Sequence, residues 1–202
     1  MALQHNRVEA RELFLDAAER LLTEMSWADV TVRRLAAEAG LNHGLVHYYF
    51  GSMEQLFVQV LERFTERLIA RQRELYAADT TFLEKWRTAM RYLDIDLESG
   101  YQKIWLELQA MAWNRPDLRE RVAHVNTEWR AVLTDALTKG MRELGIDRRR
   151  FPVEAAVALV ATFNEGIMLE RLSGISTGHE ELLRMIDRLL QSLHREAQGS
   201  AR

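Results

Sequence analysis

The run Thr31–Phe50, TVRRLAAEAGLNHGLVHYYF, carries punctuation that decides how the chain around it folds. Thr31 is a good helix N-cap, because its hydroxyl can accept from an unpaired backbone N–H of the first turn. Val32, Leu35, Ala36 and Ala39 then give a short helix one inner face. Gly40-Leu41-Asn42 leaves room only for a tight turn, and Asn42 can cap a second short helix from His43 to about Tyr49. Ala36, Gly40 and Val46 stand at the spacings of a helix-turn-helix. That unit needs a small residue where the helices cross, a glycine where the backbone turns and a β-branched residue in the shared core.

Outward from this run the chain reads as all-α. Apolar residues recur at three- and four-residue steps: Phe14, Ala17, Ala18, Leu21, Leu22 and Met25 before it; Trp86, Met90, Leu93 and Leu97 after it; then Val122, Val125, Trp129, Val132 and Ala136; and Leu182, Ile186, Leu189 and Leu193 near the end. Gly40, Gly51, Gly100 and Gly145 mark helix ends, and Pro116 and Pro152 mark helix starts. Ser52 with Gln55 has the spacing of a capping box, opening a long helix from about Met53 to Leu75. About nine helices are expected. Three form an N-terminal helix-turn-helix domain, residues 1–54, joined by the long helix to a larger C-terminal bundle, residues 55–202. The small, polar tail from about Glu196 to Arg202 is expected to fray.

Composition narrows the function classes. The 202 residues are 48% hydrophobic and 28% charged, enough for a real core and too mixed for disorder. The absence of cysteine removes disulfides, thiolate nucleophiles and thiolate metal sites. No run approaches ~18 apolar residues and the N-terminus has no secretory apolar region, so a soluble cytoplasmic protein without membrane contact is expected. His179-Glu180-Glu181 is not a zinc-binding HExxH, no Glu-x-x-His pair of a di-iron bundle occurs and no glycine-rich phosphate loop is present. An enzyme, a bound metal and a cofactor are therefore not expected. Arg148-Arg149-Arg150 reads as a solvated loop between helices.

The net charge of −3 speaks against a nucleic-acid binder only if charge is averaged over the chain. Through Phe50 there are five arginines against seven acids, but Arg7, Arg11, Arg33 and Arg34 gather near the starts of two helices. The expected footprint is modest and focused, with helix N-termini sharing the phosphate work. Histidines, which titrate near pH ~6.5, can add charge.

The run LNHGLVHYYF followed by GSMEQLFVQVLE resembles the signature of the TetR family of bacterial transcription regulators. TVRRLAAEAG is similar to that family's first helix-turn-helix helix, and Arg11–Met25 to its supporting helix. The likeness covers residues 7 to 63. It implies that His43, Gly44 and Leu45 open the recognition helix in the major groove, with His43 donating to a guanine or a phosphate. It implies that His47 and Tyr48 meet phosphates, with Tyr49 beside them, and that Thr31 offers its hydroxyl and backbone N–H to a phosphate. Arg33, Arg34 and Asn42 belong to the same expected DNA-binding set. Two positions depart from the family pattern: His47 stands where tyrosine is frequent, and Met53 where a phosphate-binding lysine is frequent. Loss of that lysine should make the salt slope of binding shallower by about one unit. Of the aromatics, Tyr48 is assigned to DNA and Phe50 to the core.

The resemblance also implies a purpose for the rest. A two-helix reader gains discrimination by dimerising on two half-sites ~34–36 Å apart. The runs Pro152–Leu172 and His179–Leu193 suit a homodimer contact, with Val160, Phe163, Gly166, Leu182, Ile186, Leu189 and Leu193 as candidates. Trp86, Met90, Trp105, Leu108, Met111, Trp129, Phe163, Asn164 and Met168 are candidates for a small-molecule pocket, although each could equally be core packing. Asn164 continues an apolar face, so its amide needs either a ligand or a neighbouring helix; His124 is a lesser candidate. The function expected is a homodimeric regulator, a repressor released from a palindromic double-stranded DNA operator by a small, largely apolar effector. The rival reading is a helical protein-interaction or lipophile-binding bundle whose helix-turn-helix is vestigial.

Overall fold

The structure is a computed structural model; it describes residues 2–200, with side chains described for residues 8–199. Among the described residues there are nine α-helices, one short 3-10 turn and no strand. In order they are α1 (Ala2–Glu24), the 3-10 turn (Trp27–Asp29), α2 (Val32–Ala39), α3 (Gly44–Phe50), α4 (Met53–Ala77), α5 (Phe82–Glu98), α6 (Tyr101–Ala112), α7 (Pro116–Glu143), α8 (Val153–Leu172) and α9 (His179–Ser200). Pro116 is the first residue of α7 and Pro152 the residue before α8, where a missing N–H leaves no helical bond unmade.

The chain packs as two compact units, one up to Glu66 together with Glu98–Val125, the other Arg67–Leu97 together with the chain from Asn126 onward. In the first, the α1 stripe of Phe14, Ala17, Ala18, Leu21 and Leu22 is buried, as its spacing predicts. Buried in the same unit are Leu35 and Val46 of the reader helices, Leu56, Phe57 and Leu61 of α4, and Ile104 and Leu108 of α6. Lys103 on α6 donates to the carbonyls of Leu22 at 3.0 Å and Met25 at 2.7 Å, closing the C-terminal end of α1. Gly100 lies at φ +76°, and a Cβ there would stand 2.6 Å from Thr23 Cγ2. Both the turn and the close approach demand glycine at that helix boundary.

The expected capping box of α4 forms by half. Ser52 Oγ accepts from the Gln55 N–H at 3.2 Å, but the Gln55 side chain is drawn away to Arg121 on α7. Arg121 also reaches Glu62 with two nitrogens, at 3.0 and 2.7 Å to Oε1 and 2.6 Å to Oε2, so a planar guanidinium fork ties α7 to α4. Helix α4 runs to Ala77, two residues beyond the expected end.

Two apolar clusters form in the second unit among the described residues. Leu133, Met141, Val153 and Val157 form one, flanked by Trp129, Leu137, Ile146, Ala156 and Val160. Leu93, Ile167 and Met168 form the other, flanked by Met90, Leu97 and Phe163. Ion pairs tie the helices at their margins: Arg87 to Asp187 through two bonds of 2.7 and 3.0 Å, and Arg171 to Asp94 at 2.6 Å. The expected fraying from Glu196 is corrected, because α9 continues to Ser200. Pairs one turn apart, Ser192 with Glu196 at 3.1 Å and His194 with Gln198 at 2.8 Å, support its last turns. Residues 201–202 of that tail lie outside the described residues. No helix among the described residues is long and apolar enough to cross a membrane.

Candidate nucleic-acid interface

The reader is built from two caps and one turn. Thr31 has extended backbone angles, φ −84° and ψ 156°, and its hydroxyl accepts from the Arg34 N–H at 3.2 Å. Helix α2 ends on Gly40 at φ +67°, in the left-handed region that suits glycine, and the Leu41 N–H reaches back to the Ala36 carbonyl at 2.9 Å. Asn42 Oδ1 then accepts from the Gly44 N–H at 2.8 Å. The second helix therefore opens one residue later than expected, at Gly44 rather than His43. A Cβ on residue 44 would already stand 3.4 Å from the same Asn42 oxygen, so a glycine suits the cap.

The N-cap His43 and the seven residues of α3 divide by face. Val46 and Phe50 are buried, Leu45 and Tyr49 are half-buried, and His43, Gly44, His47 and Tyr48 are exposed, Tyr48 to 62%. Phe50 meets Phe14 edge to face at 6.1 Å, and Tyr49 lies 6.3 Å from Phe14 and 5.1 Å from Tyr48. Tyr49 thus serves as a prop between the core and the outward tyrosine. The Gly51 carbonyl, 3.1 Å from His47 Nδ1, can only accept, so that ring nitrogen donates and Nε2 is left as the second one.

Charges in this unit are paired across helices. Arg63 on α4 pairs with Glu12, Asp16 and Glu19 of α1, and Arg20 pairs with Glu38 at 2.7 Å. One cation from α4 is thus set among three of the seven acids counted through Phe50, and a fourth is paired with an arginine already in that count. Arg63 was missed because it lies beyond the stretch being counted; an arginine on the α4 face turned to α1 is the signal that could have found it. Arg33 and Arg34 are exposed, and among the described residues neither is drawn into an ion pair. Arg11 is corrected out of the footprint: it donates to Gln59 at 2.6 Å and to Glu12 at 3.1 Å, and lies over the Phe50 ring. The Arg7 side chain lies outside the described residues.

The remaining candidates fall in both units. Trp105 and Leu108 are buried and Met111 half-buried on α6. In the second unit Met90, Phe163 and Met168 come together in one cluster, Trp129 packs on the other, and Trp86 lines a groove of about 370 Å³ with Leu183 and Asp187 of α9. Asn164 Oδ1 is buried without a hydrogen-bond partner among the described residues, as is Gln72 Oε1 on α4. Asp96 receives a 2.5 Å bond from Arg71, whose guanidinium lies 4.2 Å from the centre of the Tyr92 ring; burial nonetheless lifts the Asp96 carboxyl above its usual range. Burial likewise raises the Tyr76 phenol to about 12. His124 is exposed on α7. Of the expected dimer residues, Val160 and Phe163 pack within the unit, Leu182, Ile186 and Leu193 are half-buried, and Gly166 and Leu189 are exposed. No cluster of side chains among the described residues could hold a metal ion.

Comparison with known proteins agrees with this arrangement. Residues 14–60 match the family described as "Bacterial regulatory proteins, tetR family", and residues 97–195 match "BetI-type transcriptional repressor, C-terminal". The HTH-type transcriptional repressor AcnR of Corynebacterium efficiens is 25% identical over 89% of this chain and 92% of its own. The fold is shared with the regulator FadR of Bacillus subtilis, in complex with stearoyl-CoA, at TM-score 0.72 and 18% identity over 89% of this chain and 96% of that one. It is shared too with a transcriptional regulator of Saccharomonospora viridis in complex with choline, at TM-score 0.71 and 16% identity over 92% and 95%. With a capped helix-turn-helix, nine helices among the described residues and family matches at both ends, the chain belongs to the TetR family of DNA-binding transcriptional regulators.

Proposed function

We propose that this regulator is a repressor that binds a palindromic operator as a homodimer and is released by a small, largely apolar effector. The observation that carries the reading is the division of α3, with Val46 and Phe50 in the core and His43, Gly44, His47 and Tyr48 outward beside exposed Arg33 and Arg34. Such a face leaves a short helix free to enter a major groove while Thr31, Asn42 and their helix N-termini meet phosphates. In this reading residues 1–54 are the reader and residues 55–202 sense and dimerise, and Leu45 and Tyr49 steady the contact face from its edges.

Dimerisation is supported by large apolar side chains left uncovered on the last two helices: Leu159 and Leu169 on α8, Met185 and Leu189 on α9. Gly166 lies between the first two, and a Cβ there would meet nothing within 4 Å, so a second copy could approach closely. The effector reading draws on the apolar cluster of Met90, Phe163 and Met168 and on the buried acceptor of Asn164. An apolar molecule carrying one hydrogen-bond donor would satisfy that oxygen. The neighbours that bind stearoyl-CoA and choline indicate how widely effector chemistry varies on this frame. Release follows as a population shift: an effector that prefers the conformation unable to match both half-sites lowers DNA affinity by that preference.

The test is selection of duplexes from a random pool with the full-length protein, followed by titration of the selected duplex and a scrambled control. A palindromic consensus bound about a thousandfold or more tighter than the scrambled duplex is expected. Equal affinity for both would end the operator reading.

A further inference from the structure

The first turn of α4 follows the recognition helix after only Gly51 and Ser52, yet it offers DNA no cation of its own. Met53 is uncharged and Glu54 is acidic. Hydrogen bonds from its own backbone N–H and from the Ser52 hydroxyl hold the Glu54 carboxyl below its usual range, with a further contribution from Arg115. A carboxylate at this point repels a phosphodiester backbone unless something offsets it.

That something arrives from outside the helix-turn-helix. Arg115, in the turn between α6 and α7, brings Nη1 to 3.7 Å from Glu54 Oε1, and its Nε lies 3.7 Å from Asp117 Oδ1. Both distances are those of loose ion pairs, too long for hydrogen bonds. These two loose pairs leave 46% of the side chain exposed. The turn that carries it is well held. Arg119 donates to the Trp113 carbonyl at 2.5 Å and to the Ala112 carbonyl at 3.4 Å, closing the end of α6. Trp113, two residues before Arg115, is 71% exposed. The result is a held corner that presents a half-exposed, only loosely paired guanidinium beside the reader head.

We propose that Arg115 contacts a DNA phosphate flanking the base pairs read by α3, so that the α6–α7 turn forms part of the DNA-binding surface. Glu54 steers the guanidinium to that position, and the fork geometry of arginine suits a phosphate with two oxygens to offer. The proposal extends the established DNA-binding role beyond the helix-turn-helix.

The experiment uses the full-length protein and the duplex selected by the wild type, with affinity measured between about 50 and 200 mM salt. Replacing Arg115→Ala should make the slope of log K against log salt shallower by about one unit and weaken binding by a similar factor on selected and scrambled duplexes. The double variant R115A/E54Q should keep the shallow slope, and R115K should restore it. Thermal unfolding of each variant reports on the fold. A slope unchanged in R115A overturns the proposal, and so does a wild-type slope in R115A/E54Q, which would mean that Arg115 merely screens Glu54. Wild-type binding to the selected duplex separates failure of the operator reading from failure of this one.

Discussion

Tyr48 and Phe50 stand two residues apart on a seven-residue helix, about 200° around its axis, and so meet opposite surroundings. Phe50 is 5% exposed against Phe14, whereas Tyr48 is 62% exposed. Phe50→Ala should cost about 3–5 kcal/mol in urea unfolding, the range for emptying an aromatic site in a core. Tyr48→Ala should leave unfolding within about 0.5 kcal/mol and weaken DNA binding about tenfold. His47→Ala is expected to weaken DNA binding without altering the dimer, and an unchanged affinity would remove His47 from the contact list. The assignment of Phe50 to the core was legible because 3.6-residue periodicity places it with Val46. The position of Tyr49 was not legible: whether a ring on the flank of a helix leans inward depends on a neighbour such as Phe14, more than thirty residues away in sequence.

At the scale of elements, glycine marks the difference between local and tertiary cause. Gly40 and Gly100 could be read from the chain, since each lies where one periodic run gives way to the next, and both take the positive φ that such a boundary needs. Gly140 could not, because it sits inside α7, where glycine costs about 1 kcal/mol relative to alanine. Its reason is Phe82 of α5, whose ring lies so near that a Cβ would stand 2.2 Å from Cδ2. Gly140→Ala should therefore destabilise by about 1–3 kcal/mol despite the gain in helix propensity, read as a lower melting temperature. A rise in melting temperature would mean that the Phe82 ring yields. The same limit hid the Arg121 fork. The Ser52–Gln55 spacing announces a capping box, but the Gln55 side chain is claimed by an arginine 66 residues later, so only half of the motif forms.

The whole molecule is proposed to work as a pair, and the exposed Met185 and Leu189 give that pairing a test. Met185→Glu with Leu189→Glu should turn a dimer into a monomer in sedimentation and weaken operator binding by at least about a hundredfold, because each half-site then binds alone. A double variant that remains dimeric would move the contact away from α9. By itself, the sequence determined the helical class, the order of elements, the caps at Thr31 and Asn42 and the family, because caps, turns and amphipathic periods are written in residues a few positions apart. Only the tertiary structure decided which charges remain available for DNA. Arg11 is taken by Gln59, Arg63 is shared among Glu12, Asp16 and Glu19, and Arg115 comes to lie beside Glu54. Electrostatic pairing depends on distance in space, and the helices that set those distances are brought together by a core whose contacts no local pattern specifies. The reader's shape was therefore legible in Thr31–Phe50, while its electrostatic footprint emerged only once α1, α4 and the α6–α7 turn had packed around it.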